Sequence, residues 1–319
     1  MKYSGIIDVH AHFTTPEYLA MMERHGASLE DGFPLPEWTL QGHLDLMEQN
    51  GIAWTLLSLS TPQPFFKGYD DEAIAMCRSL NEGMAGIKLK HPDKFGFQAC
   101  LPLPNVEAAI NEAVYALDTL GANGVKLASN SRGLYLGSTE LEPLMAELDK
   151  RRTICCIHPH RPEPIKEGVF SAGPVPLYEF LADTTRAVLN LISNGVLTRY
   201  PNITWIVPHC GSFLPNIYDR YKGISKVLIP QGLMNDVDVE KCIGKLYFDT
   251  SGNPAPHLLD WLLTITDAKH IMYGSDYPFT PAPQIGNNLD ALLKMLARQG
   301  LAPYKDGILQ DNAKRLFKI

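Results

Sequence analysis

Eight short apolar runs, each followed by a longer stretch, set the strongest limit on how this chain can fold. The runs are Gly5–His10, Trp54–Leu59, Phe95–Leu101, Gly124–Leu127, Thr153–His158, Thr204–Val207, Leu246–Thr250 and Ile271–Tyr273, most of them rich in β-branched or aromatic residues. The stretches between them carry helical periodicity. His43–Asn50 closes at Gly51, Asp70–Lys90 stops at His91-Pro92, and Val106–Leu120 stops at Gly121. Thr139–Arg151 has Glu142-Pro143 in its first turn, and Asp183–Ser193, Phe213–Lys226, Ala255–Thr266 and Asn288–Gln299 follow the same logic. Strand then helix, eight times over 319 residues, predicts an α/β fold: a (β/α)8 TIM barrel formed as a single domain by residues 1–319. An open doubly wound sheet is the alternative, but no G-x-G-x-x-G follows the first run. Two segments, 13–40 and 159–177, are too long and proline-rich to be simple connections. In a barrel both fall on the catalytic face, as candidate walls or lids of a pocket.

Composition narrows the function. A chain that is 45% hydrophobic and 20% charged is ordinary for a soluble enzyme. Its net charge of -7 argues against general binding to nucleic acid or anionic membrane. No apolar run approaches the roughly 20 residues a membrane span needs, and Met1-Lys2-Tyr3-Ser4 leads straight into the first strand rather than a signal peptide. Cys77, Cys100, Cys155, Cys156, Cys210 and Cys242 form no CxxC pair and read as free, buried thiols of a cytoplasmic protein.

The C-terminal tips of barrel strands converge on one pocket, so the tips test whether there is a site. The first strand, Ile6-Ile7-Asp8-Val9-His10-Ala11-His12, turns His10 and His12 the same way with Asp8 behind them. The fifth ends in His158-Pro159-His160, the sixth in His209 and the eighth in Asp276. Five of ten histidines thus fall at strand tips, which is hard to explain by packing and points to a bound metal. Asp8 reads as a carboxylate that fixes how the strand ends, and His160 as either a substrate contact or solvent-exposed. Phe33, Trp38, Phe65 and Phe279 lie on catalytic-face loops as candidate walls of the pocket. Arg186 either braces its helix or reaches a substrate anion.

Several stretches carry a wider resemblance: Asp8-Val9-His10-Ala11-His12-Phe13, Phe33-Pro34-Leu35-Pro36-Glu37-Trp38, Leu101-Pro102-Leu103-Pro104 and Tyr135-Leu136-Gly137. With them go Asp183-Thr184-Thr185-Arg186, His209-Cys210-Gly211-Ser212-Phe213-Leu214-Pro215 and Gly274-Ser275-Asp276-Tyr277-Pro278-Phe279. Over essentially its whole length the sequence resembles the amidohydrolase superfamily. Within it, it looks like the decarboxylase branch that includes the aminocarboxymuconate-semialdehyde, γ-resorcylate and 6-methylsalicylate decarboxylases. The resemblance implies that His10, His12, His158 and Asp276 bind one divalent metal, zinc with manganese as the alternative. It implies that His209 and Asp276 are catalytic, and that Arg220 binds a substrate carboxylate, reaching a neighbouring subunit's site in a homodimer. The implied substrate is a small carboxylic acid of ortho-hydroxybenzoate type. Ser212 stands where the resorcylate group has a glutamate, a departure from that subgroup. The rival is a hydrolase of a lactone, amide or ester, in which a carboxylated Lys126 bridges two metals with His158, His209 and Asp276.

Overall fold

The computed structural model describes residues 3–165, 168 and 173–319. Its parallel strands are β1 Ile6–His12, β2 Ile52–Ser58, β3 Phe95–Cys100, β4 Gly124–Ala128, β5 Ile154–His158, β6 Thr204–Val207, β7 Tyr247–Asp249 and β8 Ile271–Met272. Each pairs with the next in chain order. The ends meet where Val9 N–H donates to the Tyr273 carbonyl (2.9 Å), Asp276 N–H to His10 (2.8 Å) and His12 N–H to Tyr277 (2.6 Å). A TIM barrel results, with one seam between β1 and β8.

Strand alternation sorts the side chains. Phe97, Ala99, Val125, Leu127, Cys155 and Ile157 join the large core beneath the helices. Trp54, Leu56, Cys156, Ile206 and Met272 form a second cluster with Ala313 and Phe317 of the C-terminal helix Asn312–Phe317. His158 shares the parity of Cys156, which sends it to the same side as this second cluster.

All eight expected strands are present, and β1 extends two residues further, to His12. Asp70–Lys90 matches its expected helix, while Ala255–Thr266 contracts to Leu258–Leu262 because Pro254 and Pro256 occupy its start. The last expected helix begins earlier, at Ala282, with Pro283 tolerated in its first turn. The 13–40 segment holds a helix the periodicity did not announce, Pro16–Arg24, capped by Thr15, whose hydroxyl accepts from Tyr18 N–H at 3.2 Å. Of the 159–177 segment, residues 166, 167 and 169–172 lie outside the described residues. The described part touches the first insertion, since Val175 N–H donates to the Asp31 carbonyl (2.9 Å). Gly32 allows this approach: its φ is +70°, and a Cβ there would stand 3.1 Å from Pro174 Cα. Among the described residues, no helix is long and apolar enough to cross a membrane.

Candidate active site

β1 delivers His10 and His12 to the mouth of the barrel, ring centroids 4.9 Å apart and planes perpendicular. His158 joins from the tip of β5, its ring 4.9 Å from His12 and 5.6 Å from His10. Asp276 arrives from the loop after β8.

Partners fix the tautomers. His158 Nδ1 lies 2.8 Å from the Pro159 carbonyl, which only accepts, so Nδ1 carries the hydrogen. His10 Nδ1–H donates to Asp249 Oδ2 at 2.8 Å. His12 Nδ1 faces Ser58 Oγ at 3.5 Å, and that hydroxyl donates its own hydrogen to the Ala11 carbonyl at 3.1 Å. Each ring therefore turns a bare Nε2 toward a common point. His12 Nε2 is 3.2 Å from His10 Nε2 and 3.0 Å from Asp276 Oδ1, and His10 Nε2 is 3.6 Å from the same oxygen. Lone pairs facing lone pairs at these distances repel unless a cation sits among them. Two donors each about 2.1 Å from one ion stand about 3.0 to 3.4 Å apart for angles between square and tetrahedral. The spacing fits: His10, His12, His158 and Asp276 could hold one metal ion, and the donor atoms of the three histidines all lie within 4.8 Å of one another.

Electrostatics agree with the geometry. Burial holds His10 and His158 below the usual histidine range and pushes His12 down to about 3, so all three stay neutral. Burial alone would raise Asp249, but the His10 Nδ1–H beside it outweighs burial and holds that carboxyl well below the usual range, hence ionised. Asp8 has no such neighbour, and burial pushes it up to about 7. Its Oδ1 accepts from His10 N–H (3.1 Å) and Ser275 N–H (3.0 Å), so it anchors the strand end across the seam, as its position suggested.

His209 follows β6 with its Nε2 3.9 Å from Asp276 Oδ2. Its N–H donates to Asp249 Oδ1 (3.1 Å) and Ser251 Oγ (3.2 Å). His209, Cys210 and Ser212 have φ of 55°, 51° and 56°, and Asp276 has 64°. Left-handed backbone at four non-glycine residues costs of order 1–3 kcal/mol each and is concentrated where the side chains converge.

A cavity of about 240 Å³ opens on this cluster. His158, His209 and Asp276 contribute to its wall, Phe33 and Phe279 supply aromatic faces, and Asp31 and Thr61 supply polar groups. Phe279 also packs edge-on to His12 at 5.3 Å. Trp38, expected beside them, is directed elsewhere: its N–H donates to His43 Nδ1 (2.9 Å) and its ring packs on Phe13. Arg220 is exposed on the helix Leu214–Leu228 and makes no ion pair among the described residues. Arg186 takes the bracing alternative, pairing with Asp183 at 2.5 Å and Tyr135 at 3.2 Å. His160 is buried, which corrects the solvent-exposed alternative; Ser129 Oγ accepts its N–H and packs the loop inward. Lys126 is buried on β4, its ammonium pKa lowered by that burial. Two residues escaped the sequence. Asp249 occupies the tip of β7, where the strand-tip rule applied to Leu246–Thr250 finds it, whereas Asp31 sits in an irregular loop with no pattern to mark it.

The sequence matches the amidohydrolase family across residues 7–319. It is 32% identical to a 6-methylsalicylic acid decarboxylase of Penicillium expansum, over 86% of this chain and 85% of that protein. A crystal structure described as amidohydrolase II superposes with a TM-score of 0.91 at 36% identity, covering 98% of this chain and all of that one. A dihydroxybenzoic acid decarboxylase of Polaromonas, solved with manganese and the inhibitor 2-nitroresorcinol, gives a TM-score of 0.85 at 22% identity, over 99% and 97% of the two chains.

Proposed function

Since the chain belongs to the amidohydrolase family, in its decarboxylase branch, we propose that it is a metal-dependent, non-oxidative decarboxylase of a small ortho-hydroxybenzoate. The observation that carries this reading is the convergence of three bare imidazole nitrogens and one carboxylate beside a cavity with aromatic walls. A divalent ion held by His10, His12, His158 and Asp276 would supply positive charge to a phenolic and a carboxylate oxygen of the substrate. Three imidazoles and one carboxylate suit zinc; manganese, present in the Polaromonas enzyme, is the alternative.

The chain's own residues account for the rest. Phe33 and Phe279 flank the ring and exclude water. Asp276 turns Oδ1 toward His10 and His12 and Oδ2 toward His209, which supports the reading that it passes a proton from His209 to the ring carbon that bears the carboxylate. Protonation there interrupts aromaticity. The electron pair of the carbon–carbon bond then returns to the ring as carbon dioxide leaves, so one proton is consumed per carbon dioxide released. The same reading carries a cytoplasmic homodimer in which Arg220 reaches the neighbouring copy; the six buried, unpaired cysteines support the compartment.

The test is a panel of hydroxybenzoates assayed for carbon dioxide release, with metal measured in the same preparation. About one zinc or manganese per chain with release from an ortho-hydroxy acid is expected. Hydrolysis of lactones or esters alone, with two metals per chain, would replace this reading by the hydrolase one.

A further inference from the structure

The cavity wall contains one acid that the metal cluster does not use. Asp31 is 5% exposed and lies in the wall with Thr61 and Phe33. Thr61 Oγ1 donates to Asp31 Oδ2 at 3.1 Å and orients the carboxyl. Asp31 Oδ1 is buried and finds no partner among the described residues. His160 lies within electrostatic reach, and its Nδ1–H donates to the Arg161 carbonyl at 3.0 Å. That leaves His160 Nε2 a bare acceptor, also buried without a partner. A buried acceptor left unpaired costs about 1–3 kcal/mol, and a second acceptor nearby cannot relieve it. Only a donor can.

We infer that Asp31, oriented by Thr61, is a specificity residue that accepts a hydrogen bond from a hydroxyl or amino substituent on the substrate ring. The preferred substrate is then an ortho-hydroxybenzoate bearing a further donor group, rather than one bearing only alkyl groups. This rests on the decarboxylase reading for the identity of the ring acid.

The experiment titrates zinc-loaded protein with salicylates that carry either a hydroxyl or a methyl at each free ring position, reading dissociation constants by calorimetry. At one position or more the hydroxyl compound should bind at least about tenfold tighter than its methyl partner. Asp31→Leu should abolish or invert that preference, and Thr61→Val should weaken it. Should Asp31→Leu fail to fold, Asp31→Asn and Thr61→Val carry the comparison. Methyl preferred at every position, or a hydroxyl preference unchanged in the variants, overturns the assignment. Carbon dioxide release is scored separately on the same compounds. Hydroxyl-selective binding without release would sink the decarboxylase reading and leave the Asp31 subsite standing.

Discussion

Asp249 shows how one carboxylate controls the chemistry of residues it only supports. Its Oδ1 accepts from His209 N–H, Ser251 N–H and Ser251 Oγ, while Oδ2 takes the His10 Nδ1 hydrogen. In Asp249→Asn the three donors would claim the amide oxygen, leaving the NH2 group facing His10. The imidazole must then accept at Nδ1 and carry its hydrogen on Nε2, where a metal needs a lone pair. Metal affinity should fall about 10–100-fold, measured by competition with a chelating dye; unchanged affinity would refute the tautomer argument. His209→Ala should behave in the opposite way, keeping its metal while kcat drops about 10²- to 10⁴-fold. Near-normal turnover would remove His209 from the proton path. The sequence exposed His10, His12, His158, His209 and Asp276 because strand parity and strand tips are regular. Asp31 and the orientation of Trp38 depend on loop conformation, which no periodicity encodes.

At the scale of elements, the strands were legible because burial on both faces leaves continuous apolar runs, whereas helix starts depended on caps and prolines. The helix Leu40–Asn50 illustrates both, ending at Gly51 (φ 69°) as expected but beginning three residues before His43, at a Thr39 cap. It buries His43 against Phe95 and Tyr277, and burial pushes that imidazole down to about 3 from 6.5. Between those values the unfolded chain binds one proton more than the folded one, so this contribution to stability is lost as pH falls from about 6.5 toward 3. The slope is about 1.4 kcal/mol per pH unit. Asp8 acts in the opposite sense, because its folded pKa of about 7 exceeds the unfolded 3.8 and its contribution is lost as pH rises through that window. His43→Gln keeps an acceptor for Trp38 and removes the titration. Urea unfolding between pH 4 and 6 should therefore show a pH slope smaller by about 1.4 kcal/mol per unit in the variant. Equal slopes would mean that the His43 site admits a charge at little cost.

For the molecule as a whole, the candidate site sits on the seam that closes the barrel. β8 contributes only Ile271–Met272 to the ladder, so closure depends on backbone bonds from Val9, His12 and Asp276 and on the Asp8 bridge to Ser275. His10 and His12 stand on one side of that seam, Asp276 on the other and His158 across the barrel. An ion bound by all four would join β1, β5 and β8, coupling ligand binding to closure. Binding to the folded state alone at a metal concentration one hundred times Kd adds about 2.7 kcal/mol, so chelation should lower Tm by several degrees. The loss should also be localised. In hydrogen exchange, amides of residues 8–12 and 273–277 should lose protection on chelation while those of β3 and β4 keep theirs. His10→Ala should resemble the chelated protein and respond no further to chelator. A uniform change across the barrel, or none at the seam, would separate the metal from closure and leave it a purely chemical part of the site.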